Sequence, residues 1–72
     1  MALEYTVEKT VAVLSEKKSG WKKELNLVSW GDNAPKYDIR EWSENHEKMG
    51  KGVTFTKEEL KALRDILNEM EL

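Results

Sequence analysis

The chain has no cysteine among its 72 residues, and it has only one proline and one histidine. The lack of cysteine excludes disulfides, thiolate metal sites and a cysteine nucleophile. A single histidine without cysteine argues against a metal site, and we predict His46 to be a surface residue in a loop. No apolar run approaches the length that spans a bilayer, and the N-terminus lacks the basic-then-apolar order of a signal peptide. The sequence therefore predicts a cytoplasmic protein, with nucleoid association left open.

Catalytic motifs are also missing. We find no G-x-S-x-G, no P-loop and no paired carboxylates at productive spacing on a rigid element. The serines have no base partner other than His46. We therefore predict no catalytic residue, no cofactor and no enzymatic activity.

The charge of the chain is unevenly distributed. The formal net charge is −2, made up of −2 in residues 1–16, +2 in residues 17–52 and −2 in residues 53–72. A locally positive surface can therefore exist on a chain that is negative overall. The length predicts a single domain over residues 1–72, and a domain this small buries a modest core, so dimerisation is expected.

The stretch from Trp21 to Trp42 organises the chain. Alternating apolar and polar residues predict strands over 22–30 and 36–42, and the turn formers of 31–35 separate them. Alternation sends side chains to opposite faces. One face receives Leu25, Leu27, Tyr37 and Ile39, and the other receives Lys22, Glu24, Asn26, Val28, Trp30, Lys36, Asp38, Arg40 and Trp42. A surface that combines cations with large aromatic rings suits single-stranded nucleic acid, whose bases stack and whose phosphates need neutralising.

The remaining elements complete an α+β fold. We predict strands over about 7–15 and 52–55, a hairpin turn at 16–20 and a polar loop over 43–52. Thr56 and Glu59 form a capping box that starts an amphipathic helix over about 57–70. Short connections make the four-stranded sheet antiparallel. The helix should cover the Leu25 face, which leaves the opposite face bare.

Three segments together suggest a family. GWKKELNLVSW, KYDIREW and GKGVTFTKEELKAL, in this order and spacing, resemble the positive cofactor four family of transcriptional coactivators, and its bacterial YdbC-like branch above all. The resemblance covers roughly residues 9–70. It implies a curved four-stranded sheet followed by a helix, a homodimer, and binding of single-stranded DNA with little sequence preference. It also implies a DNA contact at Arg40 and aromatic stacking positions at Trp30 and Trp42.

The residues and the resemblance together give a predicted site. Trp30 and Trp42 are predicted to be exposed stacking platforms, whereas Trp21 and Lys23 are left undecided between nucleic acid and core. Asp38 and Glu41 should pair with Arg40 or Lys36. The predicted nucleic-acid-binding residues are Lys18, Trp21, Lys22, Trp30, Lys36, Arg40, Trp42 and Lys51.

We therefore predict a sequence-tolerant single-stranded DNA-binding protein that serves transcription, replication or repair. Two alternatives remain open. The same aromatic residues would serve as hot spots of a protein–protein interaction module. Single-stranded RNA is the other alternative, because a stacking platform is largely indifferent to the 2′-hydroxyl.

Overall fold

A computed structural model describes residues 4–72 as an open four-stranded antiparallel sheet followed by one helix. Neighbours in sequence are neighbours in the sheet, so the strand order is β1-β2-β3-β4. This confirms the predicted α+β fold. The elements are β1 (Tyr5–Glu16), β2 (Lys22–Trp30), β3 (Lys36–Trp42), β4 (Met49–Phe55) and α1 (Lys57–Glu69).

Two strands are longer than predicted. β1 begins at Tyr5 and ends at Glu16, and β4 begins at Met49. The predicted loop over 43–52 was therefore wrong in its second half, because Met49 pairs with Trp42 and continues the ladder. The two glycines that suggested a loop lie instead in an edge strand, where the lack of a side chain is tolerated.

Bulges in β1 bend the sheet. The 12 residues of β1 pair with the 9 residues of β2, and register shifts occur at three places along β1. Each extra residue bends its strand and increases the local twist. A further shift in β4 lies between its partners Arg40 and Trp42. Each edge strand thus has more residues than the stretch of its neighbour with which it pairs, which curves the sheet.

The curvature is directly visible in three aromatic rings. Tyr5 pairs with Trp30 at one end of β2, and Trp42 pairs with Lys22 at the other end. On a flat sheet these ends would be about 27 Å apart, at roughly 3.4 Å per residue. The ring centroids of Tyr5 and Trp42 are nevertheless 5.5 Å apart. The sheet face that carries Tyr5, Trp30 and Trp42 is therefore concave, and we call it the concave face.

The core lies on the concave face. Val28 and Trp42 are the buried apolar residues within 4–72, and Glu24, Asn26 and Asp38 are buried with them. The prediction that this face would be bare is therefore wrong. Curvature folds the face onto its own side chains, so large rings exclude water without a covering helix.

Helix α1 begins as the capping box predicts. The Thr56 hydroxyl accepts from the Glu59 N–H at 3.1 Å, and the Glu59 carboxylate accepts from the Thr56 N–H at 2.8 Å. No residue of α1 is buried, however. The sheet face that carries Leu25 lies opposite the concave face, and we call it the convex face. The apolar stripe of the helix covers it only in part, so the prediction that the helix would cover this face is wrong. An apolar groove of about 560 Å³ lies between them, lined mainly by Leu14, Leu25, Tyr37, Ile39, Leu60, Leu63 and Leu67.

Candidate nucleic-acid interface

The ladder between β2 and β3 sets the composition of the concave face. Residues directly opposite one another share a face. The opposed pairs on this side are Lys22 with Trp42, Glu24 with Arg40, Asn26 with Asp38, and Val28 with Lys36. Alternation within each strand therefore predicted correctly which side chains share this face. It did not predict that the curvature of the sheet would bury several of them.

Trp42 is buried. Its exposed fraction is 0%, and its ring lies parallel to that of His46, with centroids 4.6 Å apart and planes inclined by 8°. Tyr5 contacts the indole in a tilted arrangement. The prediction that Trp42 is an exposed stacking platform is wrong for this conformation, because His46 and Tyr5 occupy the surroundings of the ring.

Trp30 is half-buried, and its Nε1 is buried without an acceptor among the described residues. The Arg40 guanidinium carbon lies 4.7 Å from the indole centroid, in cation–π contact. Tyr5 packs against the same ring, with centroids 5.7 Å apart. These two neighbours fix the orientation of the Trp30 ring.

Arg40 forms a bidentate ion pair with a buried carboxylate. Its Nε and Nη2 each donate to Asp38 at 2.8 Å, while Nη1 reaches Met49 Sδ and the Gly50 carbonyl, both at 3.4 Å. Asp38 is completely buried, and the Arg40 side chain is 14% exposed. The predicted pairing of Asp38 with Arg40 is confirmed. Because this charge is neutralised within the chain, Arg40 positions Trp30 and contributes little free charge.

Gly52 makes room for this arginine. A Cβ at Gly52 would lie 2.6 Å from the Ile39 carbonyl oxygen and 2.8 Å from Arg40 Nε. Real side chains do not approach so closely, and the obstacle at Ile39 is backbone that has no freedom to move. Glycine in β4 is therefore required for the guanidinium to cross the strand.

A polar network lies beneath the rings. The Asn26 amide donates to Glu24 Oε1 at 3.1 Å, and His46 Nε2 lies 3.0 Å from the same oxygen and 3.1 Å from Oε2. His46 thus joins the β3–β4 loop to β2. The prediction of a surface histidine missed both the stacking and this bond, since neither is encoded by neighbours in the sequence.

All four lysines of the predicted site are available to bind a polyanion. Lys18, Lys36 and Lys51 are exposed and Lys22 is half-buried. None of the four forms an ion pair with any residue in 4–72. Lys22 and Lys36 stand at opposite ends of the paired part of β2 and β3, so they mark the two ends of the concave face.

Lys17, unlike these four lysines, forms an ion pair. Its ammonium lies 2.7 Å from Glu41 Oε1 and ties the β1–β2 turn to β3. This hydrogen bond, with the charge of Lys17, lowers the pKa of the Glu41 carboxyl below its ordinary value. A lowered pKa means that the bond stabilises the fold at neutral pH and that this contribution is lost as the pH falls through the lowered value. The effect is small because Lys17 is mostly exposed.

Trp21 lies apart from the other two tryptophans. It is half-buried and lines a groove of about 490 Å³ between the β1–β2 turn and the β3–β4 loop. Gly20, with a φ of 94°, closes the turn before it, and the Glu44 side chain packs on that glycine. The groove is lined by Ser19, Trp21, Ser43, Glu44, Asn45, Glu47 and Lys48.

The structure thus brings some predicted residues together and separates others. Trp30, Arg40 and Trp42 meet on the concave face, and Lys22 and Lys36 lie at its ends. Trp21 lies in its own groove, Lys18 in the β1–β2 turn and Lys51 in β4. Sequence reasoning missed Tyr5 and His46. Alternation along β1 would not have placed Tyr5 on this face, because each bulge shifts which residues share a face.

The arrangement defines a small β-β-β-β-α domain whose curved sheet carries aromatic and basic side chains. A family model described as Transcriptional Coactivator p15 (PC4) matches residues 17–66. The chain therefore belongs to this family, the positive cofactor four family that the sequence resembled. The family is a non-enzymatic nucleic-acid-binding domain, associated with single-stranded DNA binding and transcription coactivation.

A bacterial relative supports the match. An uncharacterized protein of Treponema pallidum (strain Nichols) is 50% identical over 68 residues, which cover 94% of this chain and 80% of that protein. Among residues 4–72, no helix is long and apolar enough to cross a membrane. The same residues contain no group of three or more His, Cys, Asp or Glu side chains that could hold a metal ion.

Proposed function

We propose that this protein binds single-stranded DNA with little sequence preference along the concave face and its rim. Bases stack on the exposed part of Trp30, while lysines contact the phosphates. Trp21, at the far side of the β1–β2 turn, offers a second stacking surface. This binding serves transcription, replication or repair, and the association of the family with transcription coactivation supports the first of these.

One observation carries the proposal: a half-buried indole, held in place by two neighbours, lies on the same sheet face as lysines that form no ion pair within the described residues. Trp30 is oriented by Arg40 and Tyr5, so little side-chain entropy is lost when a base stacks on it. Lys22 and Lys36 form no ion pair with any described residue. Sequence-tolerant binding of single strands combines these two features, since every base has a π-face and every nucleotide a phosphate.

Arg40 has an indirect role in this proposal. Its guanidinium is neutralised by Asp38 and holds the Trp30 ring, so we assign it to positioning rather than to a phosphate contact. Lys18, Lys22, Lys36 and Lys51 then supply the charge. With four phosphates neutralised, the logarithm of the binding constant should fall with log salt at a slope of about −0.7 × 4, or roughly −3.

Replacing Trp30 with leucine tests the stacking surface. We expect Trp30→Leu to weaken binding to a dT oligonucleotide by about 1–3 kcal/mol, the range measured for loss of a stacked base. The salt slope should stay unchanged because no cation is removed. Fluorescence anisotropy of a labelled oligonucleotide at several salt concentrations measures both quantities.

The controls for Trp30→Leu separate stacking from folding. Trp30→Phe keeps a ring and should retain part of the affinity, and circular dichroism should show both variants folded. Tyr37→Phe, which alters the convex face, should bind like the wild type. Wild-type affinity in folded Trp30→Leu would show that no base stacks there.

We further propose that the protein is a homodimer whose subunits meet through the convex face and α1. The exposed apolar residues support this, because they lie in large part on that side: Val53 is 57% exposed, Ile66 55% and Leu67 45%. A monomer rarely leaves so large an apolar patch in water. A second copy would complete the core that α1 leaves open.

Leu67→Glu should convert the dimer to a monomer. A carboxylate at this position would have to lose its water to enter an apolar contact, so association should weaken by at least tenfold. Light scattering coupled to gel filtration measures the molar mass. Ala62→Glu places the same group on the opposite side of α1 and should leave the dimer intact. Equal masses for the wild type and Leu67→Glu would contradict this interface.

A further inference from the structure

His46 holds its ring on Trp42 in the way that a nucleobase would. The two rings are nearly parallel, at 8°, and their centroids are 4.6 Å apart. Offset parallel stacking of this kind is the geometry in which aromatic side chains bind bases of single strands. Trp42 has an exposed fraction of 0% in this arrangement, although it lies on the face that we propose for nucleic acid.

We propose that His46 closes, in the free protein, the stacking position that the family resemblance implies at Trp42, and that a nucleobase displaces the imidazole when a single strand binds. The segment that moves is the β3–β4 loop, residues 43–48. This inference rests on the proposed function and adds a ligand-dependent opening to it. The ligand is one base of a single strand, held by the same stacking that holds His46.

The contacts that keep the loop closed are few. His46 Nε2 lies within 3.1 Å of both oxygens of Glu24, and the Tyr5 hydroxyl donates weakly to the His46 carbonyl at 3.5 Å. The other hydrogen bonds of this loop are internal to it: Ser43 and Asn45 bond the backbone of residues 46–48. The loop can therefore leave the sheet as a unit without losing its own hydrogen bonds.

Two features make the closed state less stable than its contacts suggest. His46 has a φ of 62°, a left-handed conformation that side chains other than glycine adopt with strain. The Trp42 Nε1 group is buried and donates to no acceptor within the described residues. An unmet buried donor is unfavourable, and it would gain water or a nucleic-acid oxygen once the loop opens.

A nucleobase also gains more from the same position than imidazole does. Its larger π-surface overlaps more of the indole, and the phosphates on either side add attraction to Lys22, which lies directly opposite Trp42 in the ladder. Glu24 keeps the Asn26 amide as a hydrogen-bond partner after His46 leaves. Displacement therefore does not leave the buried carboxylate without a donor.

His46→Asn is the direct test. Asparagine tolerates a positive φ and removes the stacked imidazole, so the loop should keep its shape while Trp42 becomes accessible. We expect dT binding to become roughly threefold to tenfold tighter, the range that corresponds to loss of an aromatic pair. His46→Gly relieves the same backbone strain and should give the same direction. Glu24→Gln loosens the closed state without removing the ring and should give a smaller gain.

Glu47→Gln is the matched control. It changes a neighbouring loop side chain that forms no hydrogen bond or ion pair within the described residues, and it should shift affinity less than twofold. The second readout is ¹⁹F NMR of protein labelled with fluorotryptophan, which gives one resonance for each of the three tryptophans. The Trp42 resonance should shift when the dT oligonucleotide binds to the wild type, and it should already be shifted in free His46→Asn.

The outcomes are distinct. If the wild type binds and folded His46→Asn binds equally or more weakly, the inference is overturned, and weaker binding would make His46 itself a ligand contact. A Trp42 resonance unmoved by dT in the wild type overturns it as well. Failure of the wild type and every variant to bind dT would instead overturn the proposed function together with this inference.

Discussion

Asp38→Ala is expected to lower the free energy of unfolding by about 3–5 kcal/mol, because it leaves a nearly buried guanidinium without its counter-ion. Arg40 is 14% exposed and directs both of its strong hydrogen bonds to Asp38. A domain of this size has only about 5–15 kcal/mol of stability in total. The variant should therefore lose a large share of its total stability. Urea denaturation followed by circular dichroism, at one fixed protein concentration, measures the change.

The chain supplies a matched control for this ion pair. Arg64 Nη2 and Asp65 Oδ1 lie 3.0 Å apart, but these side chains are 63% and 66% exposed. Asp65→Ala should cost about 0–1 kcal/mol, since water replaces the lost partner. The Asp38→Leu/Arg40→Met double variant removes both buried charges and should recover much of the loss. A loss below about 1 kcal/mol for Asp38→Ala would mean that the pair does not hold the concave face together.

The second large effect concerns affinity. Replacing Lys18, Lys22, Lys36 and Lys51 together with glutamine should flatten the salt slope from roughly −3 to near zero. At about 50 mM salt, the binding constant for a dT oligonucleotide should fall by roughly 10³-fold, since these charges supply most of the counterion release. Binding isotherms at four or more salt concentrations give the slope and the affinity together.

The control for that variant has the same net charge and a different distribution. Lys9 and Lys23 point to the convex side, because their ladder partners are Leu27 and Glu41, and Lys57 and Lys61 belong to α1. Changing these four lysines to glutamine should alter the slope by less than 1. If both quadruple variants lose affinity equally, the interaction is a response to net charge, and the concave face has no special role.

Local features of the structure followed from the sequence. The capping box at Thr56 fixes the start of α1 through bonds over three residues, so a local pattern was sufficient. The division of side chains between the two faces of β2 and β3 was also predictable, because alternation is a property of each strand by itself. The pairing of Asp38 with Arg40 follows from the same alternation, which places them on one face.

The curvature of the sheet was not predictable from any local pattern. It comes from the bulges that fit the 12 residues of β1 against the 9 of β2, and a bulge depends on two strands at once. Curvature decides that Trp42 is buried and that Tyr5 reaches it across the face. The position of His46 depends on the same curvature, since its partners Glu24 and Trp42 are brought under the loop by it.

The central claim is tested most directly by titrating the wild-type protein with a dT oligonucleotide of about 20 bases at two salt concentrations. Tryptophan fluorescence is followed, and a duplex of equal length serves as the control. We predict strong quenching, a preference for the single strand and a salt slope of roughly −3. Absence of binding and of quenching at low salt would contradict the account, and the exposed aromatic and apolar surfaces would then be those of a protein–protein interaction module.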